Sequence, residues 1–111
     1  MSEVSAEDHK LITLARGARG RIGAPAGAAV RDETGRTYAS ASVHLESVHL
    51  TAIQAAVIQA VAAGALGLEA VVQVGDEDEL PGIAAATDLG GSGVLVFLCN
   101  SDGSVRTSVT T

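Results

Sequence analysis

The segment His44-Leu45-Glu46 has a spacing that could support metal-dependent hydrolysis. A histidine two positions before a glutamate can bind zinc while the glutamate moves protons between the metal-bound water and a substrate. Such a site needs further ligands, commonly a cysteine pair, whereas the sequence has a single cysteine, Cys99. His44 and His49 lie five residues apart, so a helix would not align them as a metal-binding i, i+4 pair. We therefore interpret them as ordinary surface or hydrogen-bonded histidines, and His9 as a solvated one.

Two other segments look like ligand-binding loops in composition alone. Residues 76–79 are all acidic, but they lack the interleaved spacing and the glycine of a calcium loop, and we interpret them as a solvated turn. Residues 90–93 are rich in glycine, but they precede a predicted strand and lack a following lysine, so we interpret them as a connection and not as a phosphate loop. Cys99 ends the apolar run 94–99 and is expected to pack as a small hydrophobic side chain.

The composition is that of one ordinary domain, with 111 residues, 47% of them hydrophobic, and a net charge of −6. Tyr38 and Phe97 are the only aromatic residues, so alanine, valine and leucine must fill the core. Six of the seven basic residues lie in residues 1–36, where five arginines could form a local basic face. No aromatic platform accompanies them, so nucleic-acid binding is not expected. They are Arg16, Arg19, Arg21, Arg31 and Arg36.

The sequence gives no sign of a membrane span or a targeting segment. No apolar run approaches the ~18 residues that a spanning helix needs. The first residues are acidic, with Glu3, Glu7 and Asp8, which is unlike a signal or transit peptide. We therefore expect a cytoplasmic protein without a membrane partner.

Periodicity and turn residues predict eight elements. Ser5 has the form of a helix cap, and apolar residues at helical spacing follow it. Residues 32–35 supply turn chemistry between two short strands, and Gly64 is suited to end a second helix. The predicted elements are a helix over 5–19, strands over 26–31 and 37–43, a helix from about 49 to 63, a strand over 70–74, a short helix over 81–89, and strands over 94–99 and 105–109.

This element order, αββαβαββ, predicts the fold class. Helices that alternate with strands after an initial hairpin favour an α/β domain of three layers, α/β/α, around a single mixed sheet. The helix before residues 70–74 implies a parallel crossover, and the final strand should lie at an edge. No linker divides the chain, so residues 1–111 are expected to form a single domain.

Four collinear stretches resemble the cytidine deaminase family across nearly the whole chain. They correspond to the first strand of that family, its hairpin turn, the end of its central helix with the following strand, and its last hairpin. The stretches are GAAV (27–30), DETGRTY (32–38), AVAAGALGLEAV (60–71) and LCNSDG (98–103). The resemblance implies the three-layer cytidine deaminase-like fold.

The same resemblance implies that the family's chemistry is lost. Those enzymes hold zinc with a Cys or His two positions before a catalytic Glu at the start of one helix, and with Pro-Cys-x-x-Cys at the start of the next. Alignment places Thr51 at the first ligand, Ile53 at the glutamate, and Gly82 and Ala85 at the two cysteines. None of these side chains can replace the donor or the acid-base group. The resemblance therefore implies a protein without zinc or another cofactor and without deaminase activity.

The nucleoside contacts also differ from those of the family. Ser42-Val43-His44-Leu45 resembles the family's Asn-Val-Glu-Asn, with Ser42 and His44 in place of the first Asn and the Glu. Two residues are missing between this segment and the helix, and His44-Leu45-Glu46 lies too early to be the zinc motif. The residues expected to line the vacated pocket are Ser42, His44, His49 and Thr51.

Three functions follow as hypotheses. The first is a non-catalytic subunit that assembles with itself, as a dimer or tetramer, or with another protein. The second is a small-ligand, nucleoside-like binding module that retains the vacated pocket. The third is an active zinc-dependent hydrolase whose ligands come from another chain or from an unrecognised site. Small residues of the 51–63 helix are expected to allow close approach of a second subunit; they are Ala52, Ala55, Ala56, Ala62 and Ala63.

Overall fold

The structure is a computed structural model and describes residues 4–111. Within this range it contains three helices and seven strands. In chain order they are α1 (Ala6–Ile22), β1 (Ala26–Asp32), β2 (Thr37–Ala41), β3 (Val43–His44), β4 (His49–Leu50), α2 (Ala52–Ala62), β5 (Leu68–Gly75), α3 (Ile83–Gly90), β6 (Leu95–Cys99) and β7 (Val105–Thr110).

The main sheet has five strands in the order β2-β1-β5-β6-β7. The pair β5 and β6 is parallel, and the other neighbours are antiparallel, so the sheet is mixed as predicted. Because β2 and β5 each pair antiparallel with β1, they point in the same direction and α2 makes the predicted parallel crossover between them. β7 lies at the edge of the sheet, which confirms the expectation for the last strand. β3 and β4 form a separate two-stranded sheet.

Helix α1 forms one outer layer. Ser5 caps it, since its Oγ accepts a hydrogen bond from the Asp8 backbone amide at 3.1 Å. Its buried apolar residues pack on the sheet face that includes Phe97, and Gly27 of β1 allows the close approach. A Cβ atom at Gly27 would overlap the helix backbone, so this strand position requires glycine.

The five arginines of the first 36 residues do not all project from a free basic face. Arg31 extends toward α1 and donates to Asp8 Oδ1 at 3.1 Å and to Glu69 Oε1 at 3.1 Å. Arg19 lies 3.6 Å from Asp76 Oδ2. Acidic partners therefore neutralise part of the basic cluster.

Helices α2 and α3 form the opposite layer, and together with α1 and the sheet they confirm the predicted three-layer α/β/α fold. The alanines on the inner side of α2 pack inside the chain itself. Ala52, Ala55 and Ala56 are all buried, and Ala56 is 0% exposed. The prediction that these three residues lie between subunits is therefore wrong, because the chain itself already covers them. Ala62 and Ala63 remain exposed.

The predicted order αββαβαββ is confirmed, and the structure adds the short hairpin of β3 and β4. The helix predicted from about residue 49 begins at Ala52, because His49 and Leu50 pair with β3 instead. Within residues 4–111 no helix is both long and apolar enough to span a membrane.

Candidate functional site

A cleft of about 300 Å³ opens at one end of the inner strands β1 and β5 of the main sheet. It lies between the start of β1, the β3–β4 hairpin, the start of α2 and the loop after β5. Its apolar wall consists of Pro25, Ala26, Val43, Leu50, Ala52 and Pro81. Its polar groups come from Ser42, His44, His49, Thr51, Gln73 and Glu77. The cleft therefore brings together all four residues that were expected to line a pocket, although their part in ligand binding stays a prediction.

Thr51 caps helix α2 with its side-chain oxygen. Its Oγ1 accepts from the Gln54 backbone amide at 3.1 Å, while its own backbone amide donates to Gln54 Oε1 at 3.0 Å. This reciprocal arrangement is a capping box, which satisfies two amides at the helix start. The side chain at the first expected ligand position therefore serves the helix terminus.

Gly82 lies directly against this cap. Its φ is 88°, in the left-handed region that disfavours residues with a Cβ atom. A Cβ built at Gly82 would overlap Thr51 Oγ1 and lie 2.9 Å from Gln54 Cγ. A cysteine at this position would have no room for its thiol. The two expected ligand positions are thus in contact, and the space between them is closed.

The other two positions of the expected catalytic set lie apart from the cleft. Ile53 is 0% exposed and packs in the core between α2 and the sheet, where it contacts no open volume. Ala85 lines a separate groove between α2 and α3, together with Val57 and Leu89. A glutamate at Ile53 would be a buried charge without a partner in the core cluster.

The residues at these positions do not fit a zinc ion. Zinc in proteins takes thiolate, imidazole or carboxylate donors. The expected ligand positions hold a threonine whose hydroxyl caps a helix, a glycine and an alanine. Across residues 4–111 no group of three or more His, Cys, Asp or Glu side chains is arranged to hold a metal ion. We therefore derive no chemical step through zinc.

The β3–β4 hairpin brings the rings of the two histidines of the cleft together in a tilted arrangement. His44 and His49 are direct partners in the antiparallel pair, and their ring centroids are 3.9 Å apart at an interplanar angle of 52°. Both residues are exposed and line the mouth of the cleft. Their exposure agrees with the interpretation as surface histidines, whereas the hairpin that pairs them was not predicted from the sequence.

Gln73 is the polar residue of the cleft that is most deeply buried, at 1% exposure. It lies in β5 on the same sheet face as Val71, which packs against α2. Its Nε2 donates to the Glu79 carbonyl oxygen at 3.0 Å, while its Oε1 is buried and has no hydrogen-bond partner among the described residues. The sequence analysis missed Gln73, although one glutamine inside an apolar strand was a visible signal.

The acidic turn after β5 is anchored, which brings Glu77 to the cleft. Arg106 of β7 donates to the Glu77 carbonyl oxygen at 2.7 Å and pairs with the Asp78 carboxylate. Asp76 and Asp78 remain largely exposed, in keeping with a solvated turn. Cys99 is buried away from the cleft, and burial raises the pKa of its thiol to about 11, so it packs as predicted.

The chain is similar to known proteins in sequence and in fold. A family model described as cytidine deaminase-like matches residues 4–103. The crystal structure of cytidine deaminase from Burkholderia pseudomallei is similar, with a TM-score of 0.75 and 26% identity over 93% of this chain and 90% of that chain. Cytidine deaminase from Mycobacterium leprae shares the fold, with a TM-score of 0.72 and 21% identity over 91% of this chain and 90% of that chain.

A point mutant of cytidine deaminase from Mycobacterium tuberculosis is also similar, with a TM-score of 0.66 and 26% identity over 78% of this chain and 81% of that chain. A search of curated proteins finds no match. Since the family model covers nearly all of the described residues, this chain belongs to the cytidine deaminase-like family.

Proposed function

We propose that this chain is a catalytically inactive cytidine deaminase-like protein that acts as an assembly or interaction subunit. The contact between Gly82 and Thr51 is the observation that carries the proposal. In an active site these two positions must stand apart with a metal between their side chains. Here Gly82 adopts a left-handed conformation and contacts Thr51, the residue that caps α2, so the geometry supports a structural role for both residues.

The position of Ile53 supports the same conclusion. Proton transfer needs a titratable group within hydrogen-bond reach of the substrate, and this side chain is apolar and buried in the core. Restoring one residue would not restore the chemistry. A glutamate at this position would lie in an apolar cluster, and a thiol at Gly82 would displace the helix cap.

Zinc content and deaminase activity test the inactive part of the proposal. After dialysis, elemental analysis should find far less than one zinc atom per chain, and cytidine should keep its absorbance in the presence of the protein and added zinc. The Ile53→Glu variant should also be inactive. Stoichiometric zinc that a chelator removes together with activity would contradict the proposal.

Exposed apolar residues near the end of α2 support the assembly part. Ile58 is 51% exposed, Val61 is 54% exposed, and Leu66 in the following loop is 86% exposed. The first two lie on the outer side of the helix, away from the sheet. A second copy of the chain would remove these side chains from water, and the family resemblance implies a dimer or tetramer formed around this helix. Light scattering at micromolar concentration should give a mass above that of one 11.1 kDa chain.

The cleft favours a second candidate function, a small-ligand binding module with a nucleoside-like ligand. The supporting observation is that Ser42, His44, His49 and Thr51 still surround about 300 Å³ of open volume although the metal position is closed. Native mass spectrometry of protein purified without added nucleoside tests this candidate. A ligand-free spectrum, and no binding to a nucleoside panel, would argue for a bare assembly subunit.

A further inference from the structure

We propose that Gln73 is the specificity-determining residue of the cleft, and that its Oε1 accepts a hydrogen bond from the amino group of an uncharged planar ring. This inference rests on the second candidate function, the small-ligand binding module. Gln73 takes no part in the motifs by which the chain resembles its family. It is singled out by its burial, its position in the cleft and its unpaired oxygen.

The hydrogen bond to the loop after β5 fixes the orientation of the Gln73 amide. The Nε2 group lies 3.0 Å from the Glu79 carbonyl oxygen, which can only accept. Exchanging the two ends of the amide would place two acceptors against each other. The oxygen is therefore held away from this loop, buried and without a partner among the described residues. A buried acceptor of this kind costs stability unless a donor satisfies it.

Ser42 and Thr51 make hydrogen bonds within the chain, the two histidines lie at the mouth of the cleft, and Glu77 is only half-buried. Thr51 Oγ1 accepts from the Gln54 amide, and Ser42 Oγ donates to the Ala26 carbonyl oxygen at 3.3 Å. His44 and His49 are exposed. Gln73 therefore offers the unsatisfied buried acceptor of the cleft within the described part of the chain.

The lining also restricts the charge and the shape of the ligand. No lysine or arginine is among the described residues that line the cleft, while Glu77 is, so an anion such as a phosphate ester has no cationic partner. The paired rings of His44 and His49 provide aromatic surface at the mouth. An apolar wall, an acceptor at depth and aromatic groups at the entrance suit a flat, uncharged ring with one amino group.

A matched pair of purine probes tests the inference. 9-Methyladenine and 9-methylpurine differ by the amino group, and neither has another N–H donor. We titrate each into the ¹⁵N-labelled protein and follow the backbone amides of Val43, Leu50 and Gln73. The expected result is that 9-methyladenine binds the wild-type protein about tenfold more tightly, which corresponds to one hydrogen bond to a buried group.

The Gln73→Met variant should bind both probes equally, at the affinity of the wild-type protein for 9-methylpurine. Methionine keeps the length of the side chain without an acceptor, and Gln59→Met is the matched control because Gln59 lies on the exposed side of α2. The control should retain the tenfold preference. Should the Gln73 variant fail to fold, equal affinity of the wild-type protein for the two probes still overturns the inference.

The outcomes separate the two levels of the argument. If both probes shift the cleft amides with equal affinity, Gln73 does not select the ligand, and the inference is overturned while the binding module stands. If neither probe shifts these amides at millimolar concentration, or if the shifts lie elsewhere, both the inference and the binding module fail. The catalytically inactive subunit is judged separately by its zinc content.

Discussion

Replacing Gly82 with alanine should destabilise the protein through one specific contact. The added Cβ would overlap Thr51 Oγ1, and the φ of 88° is unfavourable for any residue with a Cβ atom. The same substitution at Gly35 is the matched control. Gly35 has a φ of 89° but no heavy atom within 4 Å of an added Cβ, so it isolates the backbone term from the steric term.

The two terms can be estimated separately. A left-handed conformation costs a residue with a Cβ about 1–2 kcal/mol, which is the whole effect expected for Gly35→Ala. Gly82→Ala must also displace the Thr51 side chain from its cap, and the loss of such a cap costs about 0.5–2 kcal/mol. We therefore expect Gly82→Ala to lower the free energy of unfolding by about 1.5–4 kcal/mol.

A double-mutant cycle with Thr51→Ala measures the contact directly. In the Thr51→Ala background the overlapping oxygen is absent and the cap is already lost. Gly82→Ala should then cost its backbone term and the remaining contact with Gln54 Cγ, but not the cap a second time. The coupling free energy between the two sites should therefore be about 0.5–2 kcal/mol. Urea unfolding followed by circular dichroism, at one fixed protein concentration, gives the four values needed.

Additive costs in this cycle would refute the reasoning. They would mean that positions 51 and 82 do not touch, and the closed state of the expected metal position would lose its support. If Gly82→Ala lowers the free energy of unfolding no more than Gly35→Ala does, the same conclusion follows. Stabilisation by zinc in a Thr51→Cys, Gly82→Cys double variant would contradict it most directly.

Three other measurements test the packing and the surface. Cys99 should not react with Ellman's reagent at pH 8 in the folded protein, because burial raises its pKa to about 11, and should react once guanidinium unfolds the chain; rapid labelling without denaturant would contradict its position. Burial by itself would raise the pKa of Asp32, but hydrogen bonds from the β1–β2 turn and Tyr38 hold it below its usual value. The ionised Asp32 carboxylate therefore stabilises the fold above about pH 4, and this contribution is lost as the pH falls through the lowered pKa. In the Asp32→Asn variant, the free energy of unfolding measured from about pH 2 to pH 6 should fall less steeply toward low pH than in the wild-type protein. Val61→Glu should reduce the mass measured by light scattering while the protein still melts cooperatively. Ile22→Glu, on the opposite layer, is the control and should leave the mass unchanged. Ala56→Arg should abolish folding, because Ala56 is 0% exposed.

The local elements could be predicted from the sequence because their signals are local. Ser5 caps α1, and the turn at 32–35 forms as expected, with Asp32 Oδ1 accepting from the Thr34 amide at 2.8 Å and Gly35 in the left-handed region. The strands of the main sheet are long enough to show apolar runs. Each of these features needs only neighbouring residues, so the order of the elements and the fold class followed from them.

The parts of the site that escaped prediction depend on contacts between distant segments. Strands β3 and β4 have two residues each, too few to leave a periodic pattern, so the pairing of His44 with His49 was invisible. The Thr-x-x-Gln pattern of Thr51 and Gln54 is that of a capping box, so this contact was predictable from the sequence although it was not predicted. The contact of Gly82 with that cap was not predictable from the sequence, because it depends on the path of the loop from β5 back to α2.

The small residues of α2 show why burial needs the whole fold. Ala56 and Ala62 have the same side chain and lie on one helix, yet the first is in the core and the second is exposed. Helical spacing predicts which residues share a face but does not say whether the sheet or another subunit covers it. The expected interface accordingly moves to the outer residues Ile58 and Val61.

The closed metal position and the open cleft lie side by side, and Thr51 belongs to both. Its hydroxyl caps α2 and contacts Gly82, while the residue also lines the volume next to it. Closing the metal position therefore does not fill the cleft, because the cap and the loop close only the space between the two helix starts. What the cleft retains is a buried acceptor on Gln73, apolar walls and two paired imidazoles. The closed position and the cleft therefore differ in the residues that form them, which is why zinc content and ring binding test separate proposals.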